Sequence, residues 1–290
     1  MGYYPPEIRS FLRLAQFQQA PSGDWSLTLP PFYARLFEEL EEDLYRHCIG
    51  WRQSYNSFMQ YTYFKGIGDS EVDDIRTFLN DFGFNMLIGK SGWIASHFGD
   101  ELDVCIALDK NYKSLTERTE IGELEYQAKW GESEEALDGL VHYLLEAMEC
   151  ANRFCITEQS YISYIPFNVG KPFDLPSELA RRIADRLGVE FFGVSEPLVQ
   201  PALKRPKPSM KDTTLEQKFA FWKKIVDTRG IDLSQQVTGK TVYIVDDLYQ
   251  SGVTIWSYAQ FLKLMGADRV IGVVCVKAGK DTDNTSGDFG

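Results

Sequence analysis

Residues 242–254, VYIVDDLYQSGVT, hold the densest chemistry in the chain. A β-branched and aromatic run ends in two adjacent carboxylates, Asp246 and Asp247. A short loop with Ser251, Gly252 and Thr254 follows. Apolar Ile255, Ala259 and Leu262 then recur at helical spacing up to Gly266, a ready C-terminal stop. The pattern reads as strand, loop, helix. The first amides of a helix lack intrahelical acceptors and sit at the positive end of its dipole, so such a start holds phosphate. Gly252 lets the backbone approach an anion closely, and Ser251 and Thr254 add hydroxyls. Carboxylates one loop away suit hydroxyl groups or a hard cation, not a second phosphate.

Three other origins for this segment fit less well. An ordinary buried strand with an acidic turn gives no reason for Ser-Gly-x-Thr at a helix start. A Walker B strand needs a phosphate loop upstream. The nearest candidate, residues 83–91 (GFNMLIGKS), has five residues between its glycines where four are required, and most are bulky and apolar. A dinucleotide fold needs G-x-G-x-x-G, which does not occur.

Two acids, three residues, then Ser-Gly-x-Thr resembles the PRPP-binding signature of type I phosphoribosyltransferases, over all thirteen residues without a gap. The resemblance implies that Asp246 and Asp247 hold the ribose 2′- and 3′-hydroxyls, with or through Mg²⁺, for which both acids are candidate ligands. It assigns the 5′-phosphate to Gln250, Ser251, Gly252, Val253 and Thr254. It also implies an oxocarbenium-like transition state, with pyrophosphate leaving under the influence of cationic groups.

A looser resemblance, to the ComF-like branch of that superfamily, runs from about Arg118 to Lys277. It rests on RTEIGE at 118–123 with Ala128, Lys129 and Trp130, and on Tyr164, Ile165 and Pro166 followed by a loop. The loop takes the place of the pyrophosphate loop, with Gly170 and Lys171 as its candidate binders, but lacks the arginine-rich continuation common in that branch. The four-cysteine zinc module often found there is also missing. Base-salvage relatives add a base-recognition element after the last strand. Only twelve residues follow Ala278 here, which puts the acceptor pocket in the N-terminal region or leaves it out.

Candidate cations for the leaving group come from residues 199–224, which carry seven Lys or Arg and two acids in a protein of net charge −12. Pro201, Pro206 and Pro208 keep the first part from being helical. Arg205 and Lys207 are the candidates for a basic flap over bound PRPP, and a solvated loop is the alternative.

Composition narrows the class. Hydrophobic residues at 44% and charged residues at 25% suit a soluble globular protein, with no apolar run of membrane-spanning length. No signal peptide is evident at the N-terminus. The acidic balance disfavours direct nucleic-acid binding. Five scattered cysteines without C-x-x-C, and three isolated histidines, predict reduced buried thiols in a cytoplasmic protein and no zinc site or histidine triad.

Periodicity predicts a helix from Pro30–Pro31 with Phe32, Leu36, Leu40 and Leu44 on one stripe, and another from Glu71 to about Asp81. The aromatics from Trp51 to Phe64 read as core. A strand at 102–108, helices at 118–130 and 133–150, a strand at 161–166, a helix at 176–187 and a strand from Val189 complete an α/β pattern. The expected fold is α/β and type I phosphoribosyltransferase-like, a largely parallel sheet flanked by helices. The expected division is a mainly helical, aromatic-rich region at 1–112, the α/β domain at 113–279 and a disordered tail at 280–290. The leading expectation is a PRPP-binding, Mg²⁺-dependent phosphoribosyl transfer or related nucleotide metabolism, with PRPP or a ribose 5-phosphate compound as ligand. The alternatives are a non-catalytic PRPP or nucleotide sensor and a ComF-like partner in DNA uptake or processing. The N-terminal region is the expected surface for a partner or a second copy.

Overall fold

The β-branched runs form strands and the amphipathic stretches form helices, as the periodicity requires. The computed structural model describes residues 15–54, 59–84, 86–88, 92–113, 116–150, 159–166, 173–193, 199–200, 205–206 and 214–278. These residues cluster as two compact units divided at residue 90, with the last two residues of one helix, 149 and 150, counted with the first.

The first unit contains β1 (Gln16–Gln19), β2 (Trp25–Leu29), α1 (Pro31–Leu40), α2 (Glu42–Tyr45), β3 (Arg52–Gln53), β4 (Gln60–Phe64), α3 (Asp69–Phe84) and β5 (Met86–Leu87). The region expected to be mainly helical therefore also holds an antiparallel sheet, in the order β1-β2-β4-β3. The helix that opens at Pro31 stops at Leu40, where Glu41 leaves helical geometry (φ −116°, ψ 48°). Val72, Ile75, Phe78 and Leu79 of α3 are buried, as their spacing predicts. Phe37 packs edge-on against Phe64 at 6.0 Å and Phe78 at 5.0 Å, so these rings form a core. Gly83 lies inside α3, which removes the near-miss phosphate loop.

The second unit contains α4 (Gly92–His97), β6 (Val104–Lys110), α5 (Glu120–Trp130), α6 (Glu134–Cys150), β7 (Ser160–Tyr164), α7 (Leu175–Leu187), β8 (Glu190–Phe191), β9 (Val199–Gln200), β10 (Arg205–Pro206), α8 (Leu215–Thr228), β11 (Thr241–Tyr249), α9 (Val253–Leu264) and β12 (Arg269–Lys277). Five of its strands run parallel in the order β6-β12-β11-β7-β8. The unit begins earlier than residue 113, because β6 pairs with β12, Ile106 opposite Val273. Val242 to Val245 and Val270 to Val276 are buried almost completely, the near-continuous apolar runs that a sheet covered on both faces demands.

β11 is the central strand. The chain reaches β8 by stepping outward from β7, then reaches β12 by stepping the opposite way from β11. The switch point lies between the C-terminal ends of β7 and β11, where open α/β sheets bind ligands. There the Ile165 N–H donates to the Val245 carbonyl at 3.2 Å. Among the described residues no helix is long and apolar enough to cross a membrane.

Candidate functional site

Successive strand residues point to opposite faces, so two adjacent acids cannot share one environment by default. Ser163 is level with Ile244 and bonds the Tyr258 hydroxyl of α9 at 3.1 Å, which marks the α9 face. Asp246 has the parity of Ile244 and turns to that face. Asp247 has the parity of Val245 and turns to the other, where α5 packs on β6 and β12.

On the α9 face the loop after β11 closes a cavity of about 170 Å³. Asp246, Gln250, Ser251, Gly252 and Thr254 line it, together with Lys218 from α8. Val253 is buried beneath and begins α9. Gly252 is the N-cap and has no side chain to cap the first amides, which leaves them available to an anion. Its φ of +80° is in the left-handed region, and a Cβ there would collide with the Tyr249 hydroxyl and ring. The glycine is required both by the turn and by this close approach.

Two more features concentrate polarity at this end of the sheet. The Asp247 N–H donates to Asp246 Oδ1 at 2.9 Å. Burial, and then the neighbouring Asp247 charge, push the Asp246 carboxyl well above the usual carboxylate range. Lys218 is only 2% exposed although it is a lysine, so its side chain is confined to the interior beside the loop after β11.

On the opposite face, Lys129 Nζ of α5 lies 2.5 Å from Asp247 Oδ2 and 3.3 Å from Glu125 Oε1. Burial alone would lower the Lys129 pKa, but Asp247 and Glu125 outweigh it and raise the pKa above its ordinary value, so this lysine is a cation. Glu125 is 4% exposed, and burial first, opposed by Lys129, raises its carboxyl. Asp247 does not line the cavity.

The structure therefore brings Asp246, Gln250, Ser251, Gly252 and Thr254 together and sets Asp247 apart from them. Arg205 lies on a two-residue antiparallel ribbon, opposite Gln200. Gly170, Lys171 and Lys207 lie outside the described residues, as does the 280–290 tail. Two site residues were not picked out as such by the sequence. Lys218 was counted in the basic run, but the capping box Thr214–Gln217 that starts α8 is a readable signal that it is helical. Lys129 stood out only through the resemblance, and its meeting with Asp247 depends on a long-range packing that local pattern does not encode.

A metal ion held by both acids would need free oxygens on each. Asp247 Oδ2 faces an ammonium and Asp246 Oδ1 accepts an amide. Among the described residues no group of three or more His, Cys, Asp or Glu is arranged to hold a metal. A metal seated on Asp247 Oδ2 would have to displace the Lys129 ammonium.

Residues 177–289, under half of the chain, match the family described as phosphoribosyl transferase domain. The match contains β11, its loop and α9, and it supports the type I phosphoribosyltransferase superfamily for this unit. No curated protein matches the chain. Among solved structures the chain is similar to phosphoribosylpyrophosphate synthetase from Mycobacterium smegmatis, at 18% identity over 51% of this chain and 35% of that one, TM-score 0.29. It is also similar to HGPRT-ase from Leishmania tarentolae in complex with GMP (15% identity, 51% of this chain, 72% of that one, TM-score 0.29). Adenine phosphoribosyltransferase from Leishmania tarentolae is a third (13%, 53% and 75%, TM-score 0.29). The chain spans about a third of the length of the synthetase. At such identities and scores these likenesses carry no argument.

Proposed function

We propose that the α/β unit binds PRPP at the switch point and transfers its phosphoribosyl group to an acceptor, releasing pyrophosphate. The observation that carries this reading is the cavity in which Asp246 meets the loop 250–254 over the uncapped start of α9. The cavity is smaller than the roughly 300 Å³ at which small-molecule pockets begin, so it suits one end of a ligand, the 5′-phosphate and ribose. In this reading the first amides of α9, Ser251 and Thr254 hold the phosphate, and Asp246 accepts from a ribose hydroxyl. The family resemblance assigns Gly170 and Lys171 to the pyrophosphate and offers Arg205 and Lys207 as its cations. Positive groups there stabilise the charge that grows on the leaving group. Mg²⁺ enters as the counter-ion of pyrophosphate, carried by the substrate. The resemblance of the stretch from Arg118 to Lys277 supports a ComF-like reading of the unit.

The test is pyrophosphate release from PRPP with Mg²⁺ across a panel of bases and amines, run beside PRPP calorimetry. Pyrophosphate released with one acceptor, and lost in Asp246→Asn, is the expected result. PRPP binding with no release for any acceptor would overturn transfer and favour a sensor. No PRPP binding would overturn the site.

A further inference from the structure

β11 delivers two acids, and only Asp246 lines the cavity. The second already has a cation. Lys129 reaches Asp247 at 2.5 Å from α5, and Glu125, one turn earlier on the same helix, holds the same ammonium at 3.3 Å. The lysine side chain is 24% exposed and that of Asp247 13%, so solvent screens the pair only in part.

The position of this lysine is fixed from below. Thr119 caps α5 by accepting the Gly122 N–H at 3.0 Å, and its hydroxyl donates to the Lys110 carbonyl at the end of β6, 2.5 Å away. Gly122 lies so close to the Asn111 backbone that a Cβ would collide with it. The start of α5 is thereby clamped to the sheet, and the helix carries Lys129 to Asp247 as part of a packed frame.

We infer that Lys129 is the resident cation of the acid pair, a positioning residue that compensates Asp247 and leaves Asp246 to receive a ribose hydroxyl with no metal ion on the acids. The inference rests on the reading of the cavity as a ribose phosphate site. A magnesium ion needs carboxylate oxygens at about 2.0–2.1 Å in near-octahedral array. To reach Asp247 Oδ2 it must expel the ammonium, which also strips Glu125 of its partner. Ribose hydroxyls make no such demand, since each needs one free carboxylate oxygen to accept its proton.

The experiment uses ribose 5-phosphate, which lacks the pyrophosphate that would itself draw magnesium. Calorimetry on the full chain in EDTA and in Mg²⁺ is expected to give wild-type affinities equal within about twofold. Lys129→Met is expected to bind at least tenfold more weakly in EDTA and to recover in Mg²⁺, whereas Lys129→Arg stays independent of the metal. A purely structural ion pair would weaken binding equally with and without metal, and that result overturns the inference. So does wild-type binding that collapses in EDTA. A second measurement does not depend on the folding of a variant: Mn²⁺ titration of the ligand-free wild type by electron paramagnetic resonance. Mn²⁺ bound at micromolar affinity and lost in Asp247→Asn contradicts a resident lysine, and its absence is expected. No ribose 5-phosphate binding in either buffer instead sinks the site reading, and this inference with it.

Discussion

The two faces of β11 bear the same residue type and treat it in opposite ways. On the α9 face Asp246 looks into a cavity with an uncapped helix start and Lys218. On the α5 face Asp247 is held by Lys129 with Glu125 behind it. The difference follows from strand geometry, because consecutive side chains must part. One acid is open to a ligand, and the other is committed to the frame that holds the strand end in place. Two acids read as a unit thus separate into one that lines a cavity and one held in an ion pair.

The comparison breaks most visibly at the support. Lys129→Ala leaves Asp247 and Glu125 uncompensated in a mostly buried setting. Removing one partner of such a pair costs about 3 kcal/mol, near the low end of the range because the lysine is partly exposed. Urea unfolding is expected to show that loss, and a change under about 0.5 kcal/mol would make the pair a surface contact.

On the open face the largest effect is expected from Gly252→Ala. It forces a Cβ at φ +80° and against Tyr249. Left-handed geometry costs about 1–2 kcal/mol before the collision is counted, so stability should fall by about 2 kcal/mol and ribose 5-phosphate affinity at least tenfold. Unchanged affinity would show that the helix start is not the phosphate seat. Lys218→Met sharpens the same face. It is expected to weaken ribose 5-phosphate about tenfold, or about 1.4 kcal/mol, in calorimetry. Equal affinity in variant and wild type would reduce Lys218 to a buried stem.

The smallest effect belongs to the clamp beneath the support. Thr119→Ala removes the α5 cap and the bond to Lys110, an expected loss of about 1 kcal/mol in thermal or urea unfolding. No loss would mean that α5 is positioned by packing alone.

Much of this was legible because it is local. The strand–loop–helix unit at 242–264, the α7 helix ended by Gly188, and the inward face of α3 all follow from periodicity and stop signals within a dozen residues. The N-terminal antiparallel sheet was missed because its strands are short and lie among helical stripes. Alternation is present in QYTYF at 60–64, where Thr62 and Phe64 are buried between half-buried neighbours. The early start of the α/β unit was missed for a different reason. β6 belongs to the sheet through pairing with β12, over 160 residues later, and nothing near residue 104 announces that partner. Lys129 and Lys218 belong to the same class. Each was in view as a residue, but its role exists only once α5 and α8 are packed.

The central claim is that the open face of β11 is a ribose phosphate site, and one measurement meets it directly. Calorimetry with ribose 5-phosphate should compare wild type, Asp246→Asn and Asp247→Asn under one buffer. Loss of a buried hydrogen bond to the ligand predicts about a tenfold weakening, about 1.4 kcal/mol, for Asp246→Asn, and a smaller one, about threefold, for Asp247→Asn. Equal affinity in wild type and Asp246→Asn would contradict the account.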